Sequence, residues 1–448
     1  MLESIQRGSQ SDPVPPVTTA DIAIIGAGSS GVTVAKALKA RGLAADIFEK
    51  GSNIGGMWRY ENDNGLSSAY ASLHIDTSRD NLGYADFPIP RHLPDFLSHR
   101  DFLKYLEDYA DHFGLRERIH FRSEIAQIAP NADASWQIQL ADGSTRTYRH
   151  VIVANGHLSD PRYPSFPGDF SGETIHSHHY RTASPYEGKS VLVVGLGNSA
   201  VDIAVDLARQ ARRVVISTRR SAWIRPKYLM GRPIDQWLGI LTGRLRLPKP
   251  LALRIMARTI RLCMGDQTRF GLPKPAHPMW REHATLSQDL LPYMGHGWIS
   301  AKPNIRELDG DAVVFEDGSR EAFDAIVYAT GYKITFPFLE PAVFDPAADS
   351  GRLYRRMIAL RHPGLLFAGL VQPVGPTIPL VEVQGEWLAA ALSGAMRLPN
   401  AEVRAREVES HRAYQRRTYV SADRYLLEVD FKIYAEQMRE DIRRGAAG

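Results

Sequence analysis

Two glycine-rich turns carry the clearest chemical signal in this sequence. The first, GAGSSG at Gly26 to Gly31, follows the apolar run Ile22 to Ile25 and precedes Val32 to Ala40, whose pattern predicts a helix. In such a turn the first glycine allows a tight bend, the second admits a pyrophosphate to backbone N–H groups, and the third lets the helix pack on the strand. The positive N-terminus of the helix favours the anion. The turn therefore predicts a dinucleotide site.

An acidic residue, Glu49, follows this turn at a spacing that suits contact with a ribose. Glu49 ends the second predicted strand, Ala45 to Phe48, and lies 18 residues after Gly31. There its carboxylate can accept hydrogen bonds from both hydroxyls of a ribose. The acid suits an adenosine without a 2′-phosphate, as in FAD or NAD.

The second turn, GLGNSA at Gly195 to Ala200, has cations where the first has an acid. It follows the strand pattern Val191 to Val194, and the segment after it ends on Arg219 and Arg220. A guanidinium binds a phosphate bidentately and suits a bare diol poorly. The arginines therefore predict NADPH in preference to NADH.

The segments after the two turns repeat one architecture. Each contains a predicted hairpin turn and then a buried-strand pattern that ends in glycine, with 13 residues from Gly143 to Gly156 and 13 from Gly318 to Gly331. A further apolar strand, Leu365 to Gly369, follows the second copy and is expected to complete the first. The sequence predicts an α/β fold with two doubly wound dinucleotide-binding domains, the NADP domain being inserted into the FAD domain. The expected boundaries are a flexible leader over 1–20, the first part of the FAD domain over 21–183, the NADP domain over 184–332, and the second part of the FAD domain with C-terminal helices over 333–448.

One diol site and one 2′-phosphate site in the same chain indicate FAD together with NADPH, because a flavin can accept a hydride and pass electrons on. The loop Gly55 to Trp58 supports FAD, since its glycines let backbone approach the cofactor and Trp58 is placed to cover it. The residues predicted to contact FAD are Gly26, Gly28, Ser30, Gly31, Glu49, Lys50, Gly56, Met57, Trp58 and Gln372. Those predicted to contact NADPH are Gly195, Gly197, Asn198, Ser199, Arg219 and Arg220.

A fingerprint of spacing FxGxxxHxxxY lies between the two units, at Phe170, Gly172, His176 and Tyr180. It resembles that of the flavin-containing monooxygenases, as do the stretches at 217–223, 327–339 and 369–373. The resemblance implies an NADPH- and O₂-dependent enzyme, with N,N-dimethylaniline monooxygenase activity, that oxygenates an amine nitrogen or sulfide sulfur through a C4a-hydroperoxyflavin. No metal is predicted at the three fingerprint histidines, and His176 is expected to hold the connection between the domains by hydrogen bonds.

The sequence departs from the family at Asp76, the predicted catalytic residue, where members usually have an asparagine. An asparagine amide donates a hydrogen bond, whereas an ionised aspartate only accepts. Either Asp76 is protonated, or Arg79 pairs with it, or another group holds the oxygenated flavin intermediate that the resemblance implies. The related Baeyer–Villiger monooxygenases use an aspartate and an arginine near the flavin, so ketone oxidation stays open, although Tyr180 is followed by Arg181 instead of that group's pattern. An uncoupled NADPH oxidase or flavin reductase also stays open.

The composition of the chain argues against several other classes of function. The net charge of +4 over 448 residues argues against a nucleic-acid partner, and the single cysteine, Cys263, excludes a disulfide reductase and fits a reducing, cytoplasmic setting. The longest uncharged run, Pro363 to Val381, is broken by prolines and glycines, so no transmembrane anchor is expected. The expected partners are a small-molecule substrate and O₂. The oligomeric state, a homodimer included, stays open.

Overall fold

The computed structural model describes residues 21–281, 285–418 and 427–446. The leader expected over 1–20 lies outside the described residues. Within the described part, the chain forms a seven-stranded mixed sheet and a five-stranded parallel sheet with helices on their faces, together with smaller sheets. The two doubly wound units expected from the glycine turns are confirmed, because each turn follows a strand that has a parallel neighbour on both sides.

The first sheet has seven strands drawn from both halves of the chain. The strand before the first glycine turn, Ile22–Ile25, pairs in parallel with Ala45–Phe48 on one side and with His150–Val153 on the other. The late strand Leu365–Phe367 then pairs in parallel with His150–Val153, so the chain returns to the first unit as expected. In spatial order the strands are Leu353–Tyr354, Ile358–Ala359, Leu365–Phe367, His150–Val153, Ile22–Ile25, Ala45–Phe48 and Ile119–His120.

Helices from distant parts of the sequence meet on this sheet. Ser29–Ala40, which follows the first glycine turn, packs against Ile378–Leu392 near the end of the chain. Gly385 allows the close approach, because a Cβ there would lie 3.2 Å from the Ala37 methyl and 3.4 Å from the Thr33 carbonyl oxygen. Buried apolar side chains cover both faces of the sheet, as the near-continuous apolar strand patterns predict.

The second sheet has five parallel strands centred on the second glycine turn. In spatial order they are Glu173–His176, Ala325–Tyr328, Ser190–Val194, Arg213–Ser217 and Ile299–Lys302. The strand Glu173–His176 joins this sheet although it precedes the boundary expected between residues 183 and 184. That boundary stays a prediction, while sheet membership extends the second unit back into the fingerprint.

The two predicted hairpin turns are confirmed, with Gly143 at φ +85° and Gly318 at φ +82°. The first joins two strands of the sheet Ile125–Pro130, Trp136–Leu140 and Thr145–Tyr148. The second joins two strands of the sheet Arg320–Ala322, Ala312–Phe315, Ile305–Gly310 and Gly168–Phe170.

The α-helices are Ser29–Ala40, Arg79–Leu82, His99–His112, Asn198–Leu207, Ile234–Gly239, Lys249–Met264, Leu290–Gly295, Pro346–Asp349, Ile378–Leu392, Ala401–Thr418 and Phe431–Ala446. Among the described residues, none of these helices has the length and apolar character needed to cross a bilayer.

Candidate functional site

The first glycine turn has the close contacts that its sequence predicts. Gly26 adopts φ +102°, and a Cβ there would lie 2.9 Å from the Ala154 carbonyl oxygen. A Cβ on Gly31 would lie 1.9 Å from the Gly26 carbonyl oxygen, so only glycine lets this helix sit so near the strand. The helix Ser29–Ala40 begins with neither a side-chain cap nor an acid in its first turn. Its first N–H groups therefore remain available to an anion.

Glu49 lies beside this turn and is almost fully buried. Its carboxylate accepts the main-chain N–H of Ala27 at 2.8 Å, that of Gly51 at 2.8 Å, and the side-chain amide of Asn64 at 3.2 Å. A carboxylate offers about four acceptor positions, so these donors leave about one for a ribose hydroxyl. The acid thus also supports the glycine turn itself, which the sequence pattern did not reveal.

The Gly55–Trp58 loop lies directly against the glycine turn. Gly56 adopts φ +54°, and a Cβ there would lie 3.1 Å from the Cα of Gly28. Gly55 donates its N–H to the Ala27 carbonyl oxygen at 3.0 Å. The two glycine segments therefore touch backbone to backbone, and an added methyl group on Gly56 would crowd this contact.

The remaining residues predicted to contact FAD are distributed around this contact. Trp58 packs edge-on against Phe102 at 5.0 Å between ring centroids, and the main-chain oxygen of Met57 accepts the hydroxyl of Ser67 at 2.8 Å. The Ser30 hydroxyl lies so close to Gly369 that a Cβ on that glycine would be 2.1 Å from it.

Two of these predicted residues have other protein contacts. Lys50 forms an ion pair with Glu124 at 2.9 Å. Gln372 begins a short strand, Gln372–Val374, that pairs with Glu428–Asp430. Their contact with a flavin stays a prediction.

The second glycine turn repeats the geometry of the first. Gly195 adopts φ +131°, and a Cβ there would lie 2.5 Å from the Ala329 carbonyl oxygen. Ala200 is fully buried at the position of the third glycine, and its methyl would lie 3.6 Å from that same added Cβ. The helix Asn198–Leu207 starts at Gly197 without a side-chain cap, while Ser199 is exposed and Asn198 Oδ1 accepts the N–H of Leu286 at 2.8 Å.

Arg219 and Arg220 follow the strand Arg213–Ser217 and are both exposed. Within the part of the chain that the structure describes, no carboxylate forms an ion pair with either guanidinium. The corresponding position of the first unit holds the buried Glu49. The two turns therefore differ in charge in the way that the sequence predicted.

Asp76 forms an ion pair with Lys227, with Oδ1 and Nζ 3.1 Å apart, and about 25% of its side chain is exposed. Arg79 is engaged elsewhere, by the carboxylates of Asp80 and Asp95. Of the alternatives left open by the sequence, pairing of Asp76 with Arg79 is therefore wrong, and Lys227 takes that place. Burial raises the pKa of Asp76, and the Lys227 ammonium opposes this increase.

Two further carboxylates extend this cluster into the second unit. Tyr70 donates its hydroxyl to Asp202 Oδ2 at 2.9 Å, and Tyr180 donates to Asp206 Oδ2 at 2.7 Å. Burial, with the nearby Asp76 carboxylate, raises the pKa of Asp202 to about 7. Sequence reasoning missed Asp202, Tyr70 and Lys227, because none stands in a motif or at a distinctive spacing.

The fingerprint lies where the two units meet. His176 ends the strand Glu173–His176, its Nδ1 accepts the N–H of His178 at 3.1 Å, and its ring packs against Tyr163 and Tyr332. Burial and the neighbouring His178 lower the pKa of His176 to about 4. Across the described ranges, no three His, Cys, Asp or Glu side chains are grouped as metal ligands would be.

Both turns fit dinucleotides. Each combines an uncapped helix N-terminus with glycines at which a Cβ would strike backbone. In each, the N–H of the first glycine donates to the last carbonyl of the strand that precedes Glu49 or the arginine pair. The residues that would hold FAD lie at the first turn and its Gly56 loop, and those that would hold NADPH lie at the second turn and its arginines.

Comparisons with known proteins agree with this architecture. A sequence profile described as "FMO-like: Flavin-binding monooxygenase-like" matches residues 19–445. Flavin-containing monooxygenase 5 of Rattus norvegicus is 35% identical over 432 residues, which cover 92% of this chain and 80% of the relative. The solved S-allyl-L-cysteine S-oxygenase of Allium sativum is 25% identical with a TM-score of 0.69, over 94% of this chain and 88% of that one.

A crystal structure of cyclohexanone monooxygenase has a TM-score of 0.73 over 96% of this chain and 98% of that chain, at 20% identity, which is a likeness of fold. The family match spans both glycine turns, the fingerprint and the returning strands of the first sheet. The chain therefore belongs to the flavin-binding monooxygenase-like family and is a flavin-dependent oxidoreductase.

Proposed function

We propose that this protein consumes NADPH and O₂ and transfers one oxygen atom to a soft nucleophile, an amine nitrogen or a sulfide sulfur. The observation that carries the proposal is the opposite charge of the two dinucleotide sites, with buried Glu49 at one and exposed Arg219 and Arg220 at the other. When bound, NADPH supplies a hydride and the flavin passes the electrons to O₂, a redox chemistry that side chains alone lack.

The chain's own residues bind and orient these groups. The open N–H groups before Ser29–Ala40 and Asn198–Leu207 bind the pyrophosphates, and the Gly56 loop brings the first unit's backbone against its cofactor. Arg219 and Arg220 select the 2′-phosphate. Tyr70 and Tyr180, through Asp202 and Asp206, hold the second unit against the first.

A soft nucleophile is favoured over a ketone by the fingerprint. Tyr180 is followed by Arg181, whose guanidinium donates to the main-chain oxygens of His178 and Ser67 and so ties the fingerprint to the first unit. The similar S-allyl-L-cysteine S-oxygenase acts on sulfur, as its name states. Ketone oxidation is the second candidate, because Asp76 and Lys227 place a carboxylate beside a cation.

The test is product analysis under ¹⁸O₂. FAD-loaded enzyme with NADPH is given a thioether, a tertiary amine and a cyclic ketone in separate reactions, and hydrogen peroxide is measured alongside. One ¹⁸O atom in a sulfoxide or N-oxide is expected. A labelled lactone from the ketone alone would favour Baeyer–Villiger oxidation, and peroxide equal to the NADPH consumed, without product, would favour an uncoupled oxidase.

The cytoplasmic setting and a homodimer stay predictions. Cell fractionation tests the first, and light scattering of the FAD-loaded protein tests the second.

A further inference from the structure

A chain of hydrogen bonds leads from the first glycine turn to a helix near the end of the sequence. The main-chain N–H of Gly369 donates to Gln384 Oε1 at 2.9 Å. Gln384 Nε2 donates to the Tyr434 hydroxyl at 2.9 Å, and that hydroxyl donates to the Arg355 carbonyl oxygen at 2.6 Å. Together these three bonds form a relay of four residues.

Main-chain groups at its two ends fix the direction of this relay. The Gly369 N–H can only donate and the Arg355 carbonyl oxygen can only accept, so Gln384 must turn its oxygen toward the glycine. Its amide nitrogen then donates to Tyr434, whose hydroxyl keeps its own hydrogen for the carbonyl oxygen. Because Gln384 is fully buried and Tyr434 is 4% exposed, loss of either side chain would leave a buried polar group without its partner.

Further contacts hold the helix Phe431–Ala446, which carries Tyr434. Asp441 lies about two turns further along this helix, on the same face. Its carboxylate accepts Arg355 Nε at 2.8 Å and Nη2 at 2.9 Å, a bidentate ion pair. It also accepts the indole N–H of Trp387 at 3.1 Å. The helix is therefore fixed relative to the carbonyl oxygen at which the relay ends.

The other end of the relay lies at the first glycine turn. Gly369 adopts φ +74°, and a Cβ there would lie 2.1 Å from Ser30 Oγ. Ser30 is in the first turn of the helix Ser29–Ala40, whose uncapped N–H groups remain available to an anion. The bond from Gly369 to Gln384 thus holds a direct neighbour of these N–H groups in place.

We propose that Gln384 and Tyr434 are positioning residues for FAD, because they tie the helix Phe431–Ala446 to the first glycine turn. The inference rests on the proposed binding of FAD at that turn. Neither side chain needs to touch the cofactor, since both act through the main-chain N–H of Gly369. A binding site depends on the groups that hold its contacting residues in position, and the relay is such a support.

Dilution of the FAD-loaded enzyme tests the relay, with released flavin measured by its fluorescence. Tyr434→Phe and Gln384→Met nearly keep the size of each side chain and remove its hydrogen bonds. Each should raise the Kd for FAD about 10-fold. The double variant should raise it no further than the larger single effect, because both residues act through one set of bonds. The KM for NADPH should stay unchanged, since the second glycine turn belongs to the other unit.

Tyr148→Phe is the matched control. Tyr148 belongs to the first unit, is also 4% exposed, and donates its hydroxyl to Asp46 Oδ2 at 2.9 Å, outside the relay. This variant should leave the Kd for FAD unchanged. Hydrogen exchange of the FAD-loaded enzyme, followed by mass spectrometry, gives a second readout. The segment that contains Gly369 should exchange faster in both relay variants and at the unaltered rate in the control.

An unchanged Kd for FAD in both relay variants, or an equal rise in Tyr148→Phe, would overturn the proposal. A double variant in which the two single effects multiply would also overturn it, because the residues would then act independently. Failure of the proposed function is distinguishable from these outcomes. If no oxygenated product forms while the expected changes in Kd are observed, only oxygen transfer is defeated.

Discussion

Tyr180, the last residue of the fingerprint, donates its hydroxyl to Asp206 Oδ2 at 2.7 Å. Asp206 lies on the helix that follows the second glycine turn, so this hydrogen bond joins the fingerprint to the element that begins at the pyrophosphate site. Tyr180 is only 1% exposed and packs edge-on against Tyr70. The hydroxyl of Tyr70 in turn donates a hydrogen bond to Asp202 on the same helix. The fingerprint tyrosine therefore stabilises the second unit from within the connection between the units.

Tyr180→Phe removes this bond and leaves the carboxylate without its donor. We expect the free energy of unfolding to fall by about 1–3 kcal/mol, measured by urea denaturation of the FAD-loaded protein. Tyr163→Phe is the control, because Tyr163 is 51% exposed and also contacts His176. Equal stability of the two variants would show that the bond to Asp206 contributes nothing.

Gly56→Ala places a methyl group 3.1 Å from the Gly28 Cα in a backbone conformation at φ +54°. The left-handed conformation costs about 1–2 kcal/mol with any other residue, and the methyl group also enters the contact between the two glycine segments. We expect FAD to be lost on gel filtration, measured as the ratio of flavin to protein absorbance. Gly143→Ala has the same kind of backbone cost, at φ +85° with open space around it, and should retain flavin.

Arg219→Ala should raise the KM for NADPH about 10-fold or more while changing that for NADH little, because only the 2′-phosphate needs the guanidinium. Steady-state oxidation of the two cofactors measures this. Arg306→Ala, an exposed arginine beside Glu307 on a hairpin strand, is the control. A similar increase with both cofactors would remove Arg219 from the phosphate site.

The lowered pKa of His176 predicts that the folded protein loses stability in acid. Its folded pKa is lowered to about 4, whereas an unfolded histidine titrates near 6.5, so between these values the unfolded chain binds a proton that the native chain does not. Stability should therefore fall as the pH drops from about 6.5 to about 4, by about 3 kcal/mol from this residue. His176→Asn should flatten the dependence of the melting temperature on pH, whereas His74→Asn, at an exposed position, should leave it as it is.

Local sequence patterns were sufficient to predict most of the strands and both glycine turns. Gly26 and Gly195 are needed because the backbone there adopts a positive φ, which depends on local structure alone. The apolar runs indicate buried strands, so short segments were enough to predict both units and both hairpin turns. Glu49 comes one residue after its strand and Arg219 two residues after its strand, and the last carbonyl of each strand accepts the N–H of the first glycine of a turn.

The contacts by which the two units meet could be seen only in the folded chain. Asp76 pairs with Lys227 instead of the nearby Arg79, and Glu49 holds the glycine turn by accepting the Ala27 N–H. The strand Glu173–His176 joins the second sheet although the chain has not yet reached the second turn. Such contacts depend on the docking of segments far apart in sequence, and a side chain's ion-pair partner leaves no periodic pattern in the sequence around it.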